Sequence, residues 1–221
     1  MSNSGSPPAE PGVYPKEIRA DAAVRKEVTS EQSKNICISL SIVIAVVIMR
    51  SWIQMGLMTY IPFYYTNYLK GDPLYAGKLV FVFLLGGVLG TLGGAPLADR
   101  WGHKLYLTLS MFLTTLVLPL IFIIKGNMLF IILGLLGMIC ISTFSVTVVM
   151  AQQLLPKNLG IASGLMVGFA IGAGGICITL LGVVADHYGV PIALKSMTII
   201  PIIGFILCIV LKYPKQSIER G

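Results

Sequence analysis

Charge is what this sequence has least of. Asp, Glu, Lys and Arg make up 11% of its 221 residues, against about 25% in soluble domains. A chain so poor in charge, with 56% hydrophobic residues and a mean hydropathy of +0.86, buries its apolar surface in lipid rather than in one water-surrounded core. Acids are scarcer still, nine against sixteen basic residues. Beyond residue 35 and before the last few residues they are only Asp72, Asp99 and Asp186, each at the edge of an apolar run. No Asp, Glu or His lies in the middle of a run, so the chain offers no proton carrier inside the membrane. Alternating segments separated by turns are missing, which argues against a barrel. The four cysteines, Cys37, Cys140, Cys177 and Cys208, show no C-x-x-C or other metal spacing and read as small packing residues. "GAGG" at Gly172–Gly175 follows no strand and has no Lys, so it is no nucleotide loop. There is no basic face with base-reading groups, and hence no nucleic-acid partner. No metal and no cofactor is implied.

What is present is apolar length. Six runs are long enough to cross a bilayer as helices, since about 20 residues suffice and lipid admits closed helices. They are roughly 36–68, 74–97, 104–124, 128–154, 159–185 and 191–211, and "KGDP", "DRWGHK", "KGN", "LPKN" and "DHYG" mark the breaks. The expected organisation is a tail over 1–35, a six-helix bundle over 36–212 and a second tail over 213–221. The first tail is rich in Pro, Ser and charge, and is either disordered or weakly helical near "KEIRADAAVRKEV". It has no signal-peptide pattern, so the first run serves as its own insertion signal. With the N-terminus inside, eleven Lys and Arg fall on the inner side and three (Lys70, Lys78 and Lys125) on the outer. The positive-inside rule then places both termini in the cytoplasm.

The second run ends "LGGAPLADRWG" and the fifth "LLGVVADHYG". Each closes on Ala-Asp, a basic residue or His, an aromatic and Gly, and each lies second in a set of three runs. An inverted repeat of three plus three helices has this pattern. Glycines recur every four residues at Gly86, Gly90 and Gly94 in the second run, and at Gly160, Gly164, Gly168 and Gly172 in the fifth. That spacing makes one small-residue face that admits close backbone approach. It serves plain helix packing, or faces that slide during a transport cycle. In both cases these helices touch protein.

"GGAPLADRWGHK" resembles the loop motif of the major facilitator superfamily, G-x-L-A-D-R-x-G-R-K. Leu97, Ala98, Asp99, Arg100, Gly102 and Lys104 match, while Ala95 replaces a Gly and His103 an Arg. "RSWIQMGLMTYIPFYY" and "LLPKNLGIASGLMVGFAIGAGGI" resemble the fosmidomycin-resistance type of drug efflux protein. The resemblance implies an all-α membrane protein forming half of a major facilitator fold, helices seven to twelve. It implies a conformational latch at Asp99, Arg100, Gly102 and Lys104, with Asp99 accepting from the amides of the next helix or pairing with a cation. The alternative for Arg100 and Lys104 is that they only obey the positive-inside rule. It also implies alternating access around a site between two halves, and so a second six-helix partner, from a separate N-terminal half or a second copy. The alternatives are an inactive fragment or a structural or channel-type subunit. An intramembrane serine protease is excluded, because Ser163 has no His at membrane depth.

Arg50 interrupts the first run, sixteen residues after Lys34 and twenty before Lys70, too deep to reach either surface. A central Arg costs at least about 2.5–3.5 kcal/mol and normally faces a bundle interior or a wet cavity. At 100° per residue, Gln54, Tyr64, Tyr65 and Tyr68 share its face, with Pro62 a source of kinking. A guanidinium is a fixed cation with a planar donor fork suited to phosphate, phosphonate or carboxylate. The resemblance implies a phosphonate-bearing substrate, so Arg50, Gln54, Tyr64 and Tyr65 are the substrate-binding candidates. The other reading is structural, with Arg50 held by carbonyls or by an acid of the missing half. In "STFSVTVVMAQQ" the hydroxyls read as bonding their own helix, and Gln152 as lining a cavity entrance.

Overall fold

Apolar length builds the helices of this chain, and glycine and proline decide where they turn. In the computed structural model the backbone is described for residues 16–68, 70–124 and 126–211, and side chains from residue 35 onward, except that of residue 68. Six helical stretches are long and apolar enough to cross a membrane: Asn35–Asn67, Pro73–Trp101, His103–Ile123, Met128–Leu154, Leu159–Tyr188 and Val190–Val210. They match the six expected runs to within a few residues. Among the described residues there is no strand. The chain divides into residues 1–38 and 39–221. In the first unit helix begins at Lys16, and the tails over 1–15 and 212–221 lie outside the described residues.

The first span belongs to α1 (Lys16–Phe63), which passes after Pro62 into a π-turn over Tyr64–Tyr68. Pro62 has no amide to give the helix ladder. Its own carbonyl accepts from Thr66 Oγ1 at 2.8 Å. Helix α2 (Pro73–Trp101) starts on Asp72, whose carboxylate accepts from the Leu74 amide at 3.0 Å, with Pro73 at the first helical position. The third span is α3 (His103–Val117) followed by a single turn, α4 (Leu120–Ile123). The fourth and fifth are α5 (Met128–Leu154) and α6 (Leu159–Tyr188). The sixth is α7 (Val190–Ser196) and α8 (Ile199–Val210). Thus the third and sixth spans are each broken. Pro119 lies in the first break. Pro201 lies just past the second, where its ring and missing N–H disfavour the carbonyl four residues back at Met197.

The two echoed motifs fold alike. Gly102 (φ 92°, ψ 134°) and Gly189 (φ 87°, ψ 153°) each end a helix and start the next with no intervening loop. The Gly102 amide donates to Ala98 at 2.9 Å and the Gly189 amide to Ala185 at 2.8 Å. A positive φ of this size is open to glycine and strained for any other residue. Three spans separate the corners, so they fall on opposite sides of the bundle, as a three-plus-three inverted repeat requires.

Helix α1 lies between two cores. On one side Ile53 and Leu57 join Leu79 and Phe83 of α2 and Leu133 and Leu136 of α5, all buried. On the other, Tyr60 joins Cys177 and Leu181 of α6 and Leu194 and Met197 at α7 and its end. Apolar contact brings little net gain where the outside is also hydrocarbon, so close packing and hydrogen bonds between helices hold such a bundle. Ser51 Oγ donates to the Ala170 carbonyl, and Tyr60 Oη to that of Ile178 at 2.9 Å, pinning α1 to α6.

Candidate functional site

Arg50 is 4% exposed and points at α5. Its Nη1 donates to the Cys140 carbonyl at 2.8 Å and to Gln54 Oε1, one turn along α1, at 3.2 Å. The guanidinium carbon lies 5.1 Å from the centroid of the Phe144 ring, within range for cation–π attraction. Nε is buried without a hydrogen-bond partner. Among the described residues no carboxylate meets this cation. Backbone dipole, amide and ring thus hold a positive charge and leave donor capacity unused. Chemically the group can bind a planar or tetrahedral anion by charge-assisted hydrogen bonds. It has no acid or base beside it to do more.

The helix behind it is rich in hydroxyls. Ser142 and Thr143 both donate to the Ile139 carbonyl, at 3.1 and 2.6 Å, and Thr147 donates to Phe144 at 2.8 Å. These are the bonds within a helix that the sequence suggested. Two of the hydroxyls also reach α3: Ser110 shares a proton with Thr143 at 2.9 Å, and Tyr106 donates to Ser142 at 2.8 Å. Gln152 donates to Ser163 Oγ at 2.7 Å, which ties the ends of α5 and α6.

The tyrosines stand elsewhere. Tyr64 and Tyr65 line a separate cavity of about 200 Å³ with Ile61, Leu79, Phe122 and Leu129. Tyr65 stacks on Tyr75 at 4.6 Å, and Tyr75 meets Phe130 edge-on at 4.8 Å. Grouping them with Arg50 is therefore corrected. A shared angular position is not a contact when fourteen residues, about 20 Å of helix, intervene. Gln54 alone of the proposed partners touches Arg50. Cys140 and Phe144 are partners that sequence reasoning missed: a backbone carbonyl has no residue signature, and one aromatic among many apolar residues stands out no better.

At the Gly102 corner, Asp99 is exposed and its Oδ1 lies 3.4 Å from His103 Nε2, which is buried. No side chain caps α3, so Asp99 pairs with the neighbouring ring and does not accept from the α3 amides. Lys104 Nζ donates at 3.4 Å to Ile209 in the last turn of α8, where helix carbonyls have no partner of their own. Arg100 is exposed and makes no such bond among the described residues.

The two glycine ladders part company. A Cβ on Gly86 would collide with the Gly134 carbonyl of α5, and one on Gly90 with that of Met138. At Gly94 it would meet the Tyr106 hydroxyl and Ser142. At Gly160, Gly164, Gly168 and Gly172 nothing lies within 4 Å. The expectation that this second ladder touches protein is corrected for the described residues, because α6 turns a different face, through Ala170, Gly174 and Cys177, toward α1. The bare ladder instead floors an apolar groove of about 820 Å³ walled by Ile48, Trp52, Leu165 and Phe169.

Fold and site together define a multi-pass helical membrane protein with a buried, acid-free cation in its bundle. Residues 40–221 match the model of the Major Facilitator Superfamily, and the chain belongs to that family. It is 39% identical over 132 residues to the uncharacterized MFS-type transporter YfnC of Bacillus subtilis (strain 168), covering 59% of this chain and 32% of that protein. It is 35% identical over 156 residues to the fosmidomycin resistance protein of Escherichia coli (strain K12), covering 67% of this chain and 38% of that protein. The chain thus spans little more than a third of the length of the curated relatives it matches.

Proposed function

We propose that this chain is one half of a proton-coupled transporter of the cell (inner) membrane, with both termini in the cytoplasm, that exports a small drug-like or anionic compound such as fosmidomycin. It works by alternating access against a second six-helix half. The observation that carries this reading is Arg50: a cation nine-tenths buried in a span, with a donor left over and no acid to neutralise it. A resting structural cation would be expected to use its donors fully. An anionic group that arrives and leaves accounts for both the charge and the spare N–H. Arg50 and Gln54 are the contacts, and a phosphonate suits the fork. The similarity to a fosmidomycin resistance protein supports the same substrate class. The proton carrier then belongs to the other half, since this chain has no mid-span acid. Asp99, Gly102, His103 and Lys104 form the corner that locks one conformational state, and Lys104 joins it to α8.

The test is drug accumulation in cells making this chain together with the part of the E. coli relative that it does not cover. Saturable export that a protonophore abolishes supports the reading. Non-saturable flux would indicate a pore, and no flux from a correctly inserted pair would leave a structural subunit.

A further inference from the structure

The glycine-floored groove on α6 is the largest feature that Arg50 and the latch do not use. We infer that it is the seat of one transmembrane helix of the other half, packed lengthwise over Gly164, Gly168 and Gly172. This rests on the two-half reading above.

Three observations converge. The first is the bare floor. No protein atom of the described residues lies within 4 Å of a Cβ at these glycines, although equal spacing on α2 is filled to collision distance by α5. Glycine in a helix interior costs about 0.5–1 kcal/mol relative to alanine, so an unused ladder is an unrewarded expense. The second is Trp52. Its indole Nε1 is buried in the groove wall and has no acceptor. An acyl chain can fill a groove but cannot accept that hydrogen bond, whereas a helix bearing a hydroxyl, amide or freed carbonyl can. The third is length. The relatives carry some two-thirds of their sequence outside the match, enough for further spans.

A second copy of this chain fits less well. In a two-fold pair the same patch meets itself, so Gly168 would face Gly168. Two flat floors leave a groove of about 820 Å³ unfilled, and unfilled space forfeits dispersion contacts on both sides. The occupant must bring a ridge of projecting apolar side chains and one acceptor at the level of Trp52.

The experiment co-expresses the full chain with the affinity-tagged, uncovered part of the E. coli relative and measures how much chain co-purifies in detergent. Gly168→Leu has room in this fold and should stay monodisperse, yet lower recovery by about tenfold or more. Trp52→Phe keeps the bulk, removes the N–H and should lower it by about threefold. Gly93→Leu, on a face of α2 that is equally open but floors no groove, should have no effect. Full recovery with both Gly168→Leu and Trp52→Phe overturns the docking face and spares the two-half reading. Failure of the unaltered chain to co-purify overturns the two-half reading and this inference with it. Copy-to-copy cross-linking of Gly168→Cys, with the tagged probe present, would put a second copy in the groove and overturn it too.

Discussion

Helices α2 and α6 carry the same device and use it differently. Both have glycine every fourth residue, both end on Ala-Asp-x-aromatic-Gly, and both turn through a one-residue corner. Yet the α2 ladder is pressed against α5 backbone, and the α6 ladder lies open. Spacing of small residues therefore specifies a face, not its occupant. The occupant of α2 lies in the same chain. We assign that of α6 to another.

The contrast can be broken in graded ways. The largest effect is expected from Gly90→Leu, where the side chain must displace the Met138 backbone. A loss of about 3 kcal/mol or more, or no folded material at all, should appear in detergent unfolding. Gly168→Leu on α6 should stay within about 0.5 kcal/mol of the unaltered chain in the same assay. Equal losses at both would erase the distinction. Next come the corners. Gly102→Ala and Gly189→Ala should each cost about 1–3 kcal/mol, because both impose a positive φ on a residue with a Cβ. If one were silent, the two corners would not be equivalent halves of a repeat. Smaller still is Tyr60→Phe, which removes one hydrogen bond between α1 and α6 and should cost about 0.6 kcal/mol.

The parts of the fold written in side-chain type were readable in advance. Apolar length gave six spans, and Gly102 and Gly189 marked the corners. Pro119 and Pro201 were visible too, but a proline in a span can kink, break or be absorbed, and only the packing around it decides. At the site, Gln54 was legible because one helical turn places it on Arg50. Tyr64 and Tyr65 were misgrouped because angular position carries no axial distance. The Cys140 carbonyl was invisible, since every residue has one. Of the latch, the corner glycine and the Asp99–His103 spacing could be read. The reach of Lys104 to α8 could not, because it spans more than a hundred residues of chain.

The most direct test of the central claim is fosmidomycin binding, by isothermal titration, to this chain paired with the uncovered part of the E. coli relative. Arg50→Lys keeps the charge and loses the planar fork. We expect it to weaken binding by about tenfold or more, with the pair intact by size-exclusion chromatography. Unchanged affinity in Arg50→Lys would contradict the claim and leave Arg50 as a structural cation held by the Cys140 carbonyl.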